Sequence, residues 1–225
     1  KEDKVKILIL GGATGFGRSL VQSFKENKDE VLYTTFSIEK KETENYLDLT
    51  SPNLNRDFVN RLNNLDVVIF NAFRLGNIAK LSSTEHEEIE EIFVTNVISY
   101  KVLLDDLIKN TKCKNFINIS SGASEKNYSG LFQYCFTKNL TRQIFAYYDT
   151  ELKNKRFISI SPGPMKTKMQ SEIQNNYEGF DDLLKFKENY EKFPTPDTMA
   201  KKFITYYQLL LADSSKNFFD LRECT

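Results

Sequence analysis

Apolar residues along this chain gather in short runs separated by stretches of helical period. The first run, Val5, Ile7, Leu8, Ile9 and Leu10, reads as a strand covered on both faces. Runs at 30–36 (EVLYTTF), 45–49 (NYLDL), 66–70 (DVVIF), 115–120 (NFINIS) and 156–161 (RFISIS) read the same way, with 217–221 (NFFDL) as an edge strand. Between them the spacing predicts helices over 52–63, opened by Ser51-Pro52, over 84–109, over 130–153, and over 196–211 behind Pro196. Strand and helix alternating in this way predict an α/β fold, a doubly wound parallel sheet of about seven strands with helices on both faces. The two long helices carry Ile89, Ile92, Phe93, Val97, Leu103, Leu140, Ile144 and Tyr147, more apolar surface than one sheet face needs. Core packing or helix pairing in a homodimer or homotetramer would use the surplus.

Length and charge narrow the classes. The chain has 225 residues, which predicts one domain over 1–225 with a single large core. Lys plus Arg equals Asp plus Glu at 31 each, so no net field draws nucleic acid or an anionic membrane. No run approaches the roughly 18 apolar residues of a membrane span, and KEDKVK lacks the apolar stretch of a signal peptide, which predicts a cytoplasmic protein. Cys113, Cys135 and Cys224 show no paired short spacing and His86 is the single histidine, so reduced thiols and no metal site are expected. Cys135 reads as a small buried hydrophobe. Residues 164–195 break the regular pattern with a charged, weakly amphipathic stretch just after the sixth strand. An α/β sheet opens its ligand crevice there, so this segment is expected to cover the substrate.

The chemistry enters through two clusters. Gly11, Gly12, Gly15 and Gly17 follow the first strand at once, and Leu20, Val21 and Phe24 then fall at helical spacing. Strand, glycine turn and helix stand in the order of a dinucleotide site. Gly11 would permit the tight turn, Gly15 close approach to a pyrophosphate and Gly17 close packing of the helix. The second cluster is Asn96, Ser121, Tyr134 and Lys138. Tyr134 and Lys138 stand four apart, on one helical face, where an ammonium favours the phenolate and lowers the phenol's pKa. Ser121 precedes Tyr134 by 13 residues, room for a loop that returns its hydroxyl to the phenol, and the pair would polarise and protonate a carbonyl.

In this order and spacing the chain resembles the short-chain dehydrogenase/reductase family over nearly its whole length, which implies a Rossmann-type fold. The family's Thr-Gly-x-x-x-Gly-x-Gly is similar to LGGATGFG, with Leu10 where threonine is usual, and its Asn-Asn-Ala-Gly to FNAF, with Phe70 and Phe73 at the flanks. Its serine, Tyr-x-x-x-Lys and helix asparagine match Ser121, Tyr134, Lys138 and Asn96. The resemblance implies Tyr134 as general acid and base, Ser121 on the carbonyl oxygen, Lys138 on the nicotinamide ribose and the phenol, and Asn96 holding a water through its backbone carbonyl. Implied cofactor contacts are Gly11, Thr14, Gly15, Phe16, Gly17 and Arg18 in the first turn, Asp48 and Leu49 after the third strand, Asn71 and Ala72, Tyr134 and Lys138, and Pro162, Gly163, Met165 and Thr167 after the sixth strand.

The end of the second strand bears on the choice between NAD and NADP. Thr35, Phe36 and Ser37 stand where NAD sites carry an acid, so Thr35 and Ser37, with Arg18 or Lys40 for charge, suit the 2′-phosphate of NADP. The expected activity is NAD(P)-dependent hydride transfer, reducing the carbonyl of a small polar substrate or oxidising the alcohol. A nucleotide-sugar epimerase or dehydratase, or a non-catalytic NADP-binding sensor, are the alternatives. Expected substrate walls are Phe73, Arg74, Tyr128, Phe132 and 164–195, with Arg74, Lys166 and Lys168 read as surface charges ahead of an anion site.

Overall fold

A computed structural model describes residues 4–35, 46–51 and 56–225. Its core is a six-stranded sheet built from β1 (Lys6–Leu10), β2 (Glu30–Tyr33), β3 (Val67–Phe70), β4 (Asn115–Ile119), β5 (Arg156–Ser161) and β6 (Phe218–Asp220). The strand order is β2-β1-β3-β4-β5-β6, and every pairing is parallel. Parallel strands need crossovers, and the helices supply them. They are α1 (Gly15–Glu26), α2 (Arg56–Asn60), α3 (His86–Phe93), α4 (Ser99–Asn110), α5 (Phe132–Glu151), α6 (Lys168–Asn175), α7 (Asp181–Asn189) and α8 (Pro196–Ala212).

Alternation along each strand divides the core in two. Ile7, Ile9, Val67, Ile69, Ile117, Ile158 and Ile160 pack with Phe24, Phe203 and Tyr207 of α1 and α8. Leu8, Leu10, Val68, Phe70, Phe116 and Phe157 face the other way, onto Tyr100, Leu103 and Leu107 of α4 and Phe145 of α5. Burial on both faces is why these strands read as unbroken apolar runs. No helix among the described residues is long and apolar enough to cross a membrane.

Among the described residues the sheet has six strands rather than seven. The stretch expected as the third strand makes one isolated parallel bridge, Thr35 to Tyr46. Asp48 then accepts from the Thr50 amide at 2.8 Å and hydroxyl at 2.6 Å, a local turn that ends the extension, while Leu47 and Leu49 are spent on the core. The helix expected over 84–109 is interrupted by a π-helical turn at Val94–Ile98, which joins α3 to α4 and carries Asn96. Such turns insert an extra residue into the helical ladder and often mark functional sites. Residues 164–195 contain α6 and α7.

Candidate active site

The first turn is built from close contacts that only glycine permits. Gly11 has φ +83°, and a Cβ there would stand 2.7 Å from Ala72 Cα. Its amide donates to Thr34 Oγ1 at 3.0 Å, and its carbonyl accepts from Asn71 Nδ2 at 2.9 Å. A Cβ on Gly17 would collide with that same carbonyl and lie 2.5 Å from Asn71 Nδ2. Gly17 therefore packs α1 against the turn itself. Gly15, with φ +53°, has nothing within 4 Å of where a Cβ would lie. Thr14 makes no side-chain cap, so the first amides of α1 stand open above this space. An uncapped helix N-terminus behind an open glycine fits a pyrophosphate.

Other expected cofactor residues divide into those near this turn and those turned away. Arg18 is exposed one turn into α1, whereas Phe16 and Met165 put their side chains into the α1–α8 core. Leu49 is likewise in the core, and its carbonyl accepts from the Ser99 hydroxyl. Only backbone atoms of Phe16, Leu49 and Met165 remain for a ligand. Thr35 is buried, Asp48 is tied to Thr50, and Ser37 lies outside the described residues. Gly163 has φ +79° in the turn after β5, and Thr167 caps α6 by accepting from Gln170 N at 3.2 Å.

The tetrad assembles at the C-terminal edge of the sheet. Ser121 follows β4 and caps the next turn, accepting from Ala123 N at 3.2 Å, and its side chain is within hydrogen-bonding reach of the Tyr134 phenol. Tyr134 sits in the first turn of α5, with Lys138 one turn on. Lys138 is buried, and its Nζ donates to Ile119 O at 2.7 Å. Asn96 is fully buried and clamps the loop after β3. Its Oδ1 accepts from Arg74 N at 3.0 Å, and its Nδ2 donates to Arg74 O at 2.8 Å and Thr137 Oγ1 at 3.2 Å.

Electrostatics differ from the expectation. Tyr134 keeps part of its surface open, yet desolvation pushes its phenol up to about 12, with Ser121 pulling the other way. Lys138 is brought down to about 7 by burial. Burial opposes charge on both groups, so desolvation runs against the lowering of the phenol expected from Lys138. The Lys138 ammonium stands 5.8 Å from the Tyr134 ring centroid and 3.6 Å from that of Phe73.

Tyr134 borders an apolar cluster of Leu75, Ala123, Leu131, Cys135, Ile173 and Leu183, rimmed by Tyr128, Phe180 and Phe186. Helices α6 and α7 reach it directly. Asp182 accepts from the Ser129 amide at 3.0 Å, and Tyr128 meets Phe186 edge-on at 5.2 Å. Phe132 stacks on Phe136 at 5.4 Å, and both line a cavity beside this cluster. This cavity of ≈ 770 Å³ touches Ala123, Tyr128 and Phe180 but not Ser121, Tyr134 or Lys138. Arg74 pairs with Glu91 and Lys166 with Glu191, which makes both ordinary surface ion pairs.

Three supporting residues escaped the sequence reading. Tyr100 donates its hydroxyl to Ala72 O, Gln133 Oε1 accepts from Asn77 N at 2.7 Å, and Thr137 receives Asn96. Thr137 lies one helical turn beyond Gln133, and it donates to the Gln133 carbonyl at 2.7 Å. Polar residues on the inward face of α5 were the available signal.

The short chain dehydrogenase family model matches residues 5–178. A Bacillus cereus benzil reductase ((S)-benzoin forming) is 31% identical over 142 residues, and the match spans 56% of each chain, so little more than half of that relative is covered. A benzil reductase of the same name from Bacillus subtilis is 26% identical over 96% of this chain and 98% of its own. Among solved structures, a short-chain dehydrogenase/reductase of Saccharomyces cerevisiae superposes with TM-score 0.82 at 19% identity, covering 97% of this chain and 96% of that one. A short chain dehydrogenase of Shigella flexneri complexed with NADP gives TM-score 0.75 at 20% identity, covering 98% of each chain. At these identities the structures speak for the fold.

Proposed function

The chain belongs to the short-chain dehydrogenase family, and from that membership we propose that it reduces a carbonyl by hydride transfer from NADPH, with Tyr134 as the proton donor. The observation that carries this reading is the Ser121 side chain within reach of the Tyr134 phenol, with Lys138 one turn below. When bound, the reduced nicotinamide supplies the hydride. Ser121 and Tyr134 would hold the carbonyl oxygen, and the phenol would give its proton to that oxygen as negative charge develops. Lys138 would favour the phenolate left behind. The open first turn of α1 fits the pyrophosphate, and the expected preference for NADP over NAD rests on Thr35 and Arg18 among the described residues.

The cluster around Tyr134 supports an apolar, aryl-bearing carbonyl compound ahead of a small polar one, since its partly buried Tyr128, Phe180 and Phe186 offer ring surface. Benzil reduction, the activity named for the two Bacillus relatives, is of that kind. Helices α6 and α7 would cover such a substrate. Exposed Phe136 and Tyr147 on α5 support self-association, which a sedimentation run showing only monomer at high concentration would refute.

The test is consumption of NADPH and of NADH, followed by nicotinamide absorbance, against benzil, other aryl diketones, aliphatic diones and ketoses. Turnover concentrated on aryl diketones with NADPH is expected. Cofactor binding with no turnover on any carbonyl would overturn the reductase reading, and preference for ketoses would overturn the substrate class.

A further inference from the structure

Lys138 is a cation buried to 3% exposure with no carboxylate beside it among the described residues. Its one hydrogen bond among the described residues, to Ile119 O at 2.7 Å, leaves most of its ammonium to be satisfied otherwise. The face of Phe73 supplies a second contact, with Nζ 3.6 Å from the ring centroid. An aromatic face carries negative potential, and a desolvated cation above it gains more than an exposed one. The ring is itself held edge-on by Tyr100 at 6.0 Å and Tyr134 at 5.7 Å, and Tyr100 also ties down Ala72, the residue before Phe73. FNAF places this phenylalanine where the motif it resembles ends in glycine, which has no face to offer.

We propose that Phe73 is a positioning residue of this site, its ring face being the seat that holds the Lys138 ammonium charged and aimed between Ile119 and Tyr134. The proposal rests on the role given to Lys138 above. The titratable groups around this seat are the phenols of Tyr134, on the same helix, and Tyr100, on α4. Burial raises both, so both are neutral through the range in which Lys138 titrates. The seat therefore acts through Lys138 alone.

The test follows the Lys138 side-chain resonance by NMR in lysine-labelled, cofactor-free protein, assigned by its loss in Lys138→Met. Phe73→Leu removes the face. Trifluorophenylalanine at position 73 keeps the shape and weakens the face, and Phe73→Tyr keeps both. The expected result is a fall of the Lys138 pKa by about one unit in Phe73→Leu, a fall in the same direction in the fluorinated protein, and recovery in Phe73→Tyr. If Phe73→Leu does not fold, the fluorinated protein decides alone. A Lys138 titration unmoved by fluorination would overturn the seat. The readout needs neither cofactor nor turnover, so a failure of the reductase reading would show separately, in the carbonyl panel.

Discussion

Replacing Asn96 tests whether the π-turn exists to clamp the loop that carries Phe73 and Leu75. Asn96→Ala removes three hydrogen bonds, at 3.0, 2.8 and 3.2 Å, from a residue with no exposed surface. Each is worth about 1 kcal/mol net, and a buried partner left unpaired costs more. Thr137 keeps its bond to Gln133 O, so the uncompensated groups are the Arg74 amide and carbonyl. A loss of about 2–4 kcal/mol follows, or a factor of roughly 30 to 1000 in the folding constant, read as a lowered midpoint in urea. Asn96→Asp keeps the acceptor for Arg74 N but sets a carboxylate oxygen against Arg74 O. That carboxyl should have a raised pKa, bind its proton in the folded state and stabilise the variant as pH falls. An alanine variant within about 1 kcal/mol of the parent, joined to an aspartate variant with the parent's pH dependence, would refute the clamp.

Three other outcomes are expected. Tyr134→Phe should lower kcat/KM by about 10²–10⁴ while cofactor affinity measured by fluorescence titration stays unchanged, and turnover like the parent's would remove the phenol from the reaction. Gly17→Ala should weaken cofactor binding and cost about 1–3 kcal/mol of stability, because its methyl must displace Gly11 O or Asn71 Nδ2; unchanged affinity would mean that the turn yields freely. Lys138 has its pKa depressed from the ordinary 10.5 to about 7, so the unfolded chain binds more protons between those values, and cofactor-free stability should rise with pH across that window. Between pH 7 and 9 the gain is up to about 2 kcal/mol, and Lys138→Met should flatten the slope. An equal slope in both proteins would place the titration elsewhere.

Local rules made the sheet legible wherever one strand's sequence was enough. Ile7 to Leu10 and Val67 to Phe70 are apolar on both faces, and only a central parallel strand needs that. The 45–49 stretch has the same look, but Leu47 and Leu49 enter the core from a turn set by Asp48 and Thr50, and side-chain period alone does not separate a strand from an extended segment bonded at one residue. Asn96 was legible as a motif residue and illegible as a clamp, because its partners Arg74 and Thr137 are 22 and 41 residues away. The direction of the Tyr134 pKa differs from the expected one for a related reason. Spacing states that Tyr134 and Lys138 share a helix face, while desolvation depends on everything packed around them, and here burial is the leading cause for Tyr134 and the cause for Lys138.

Burial also decides what the site must do to work. A phenol pushed up to about 12 is a poor proton donor at neutral pH, and an amine brought down to about 7 is only partly an ammonium there. Two groups of the site act against this trend. Ser121 lowers the phenol directly by hydrogen bonding, and the Phe73 face favours the charged form of Lys138. Each further increment of ammonium at Lys138 favours phenolate at Tyr134, so the two effects act in the same direction on proton release. Loss of Ser121 and loss of the Phe73 face should then both weaken the donor, but at different atoms. Ser121→Ala should leave the Lys138 resonance where it was and lower turnover, whereas Phe73→Leu should move that resonance first. A Lys138 titration that followed Ser121 instead would mean that the serine governs both groups and that the ring is only packing.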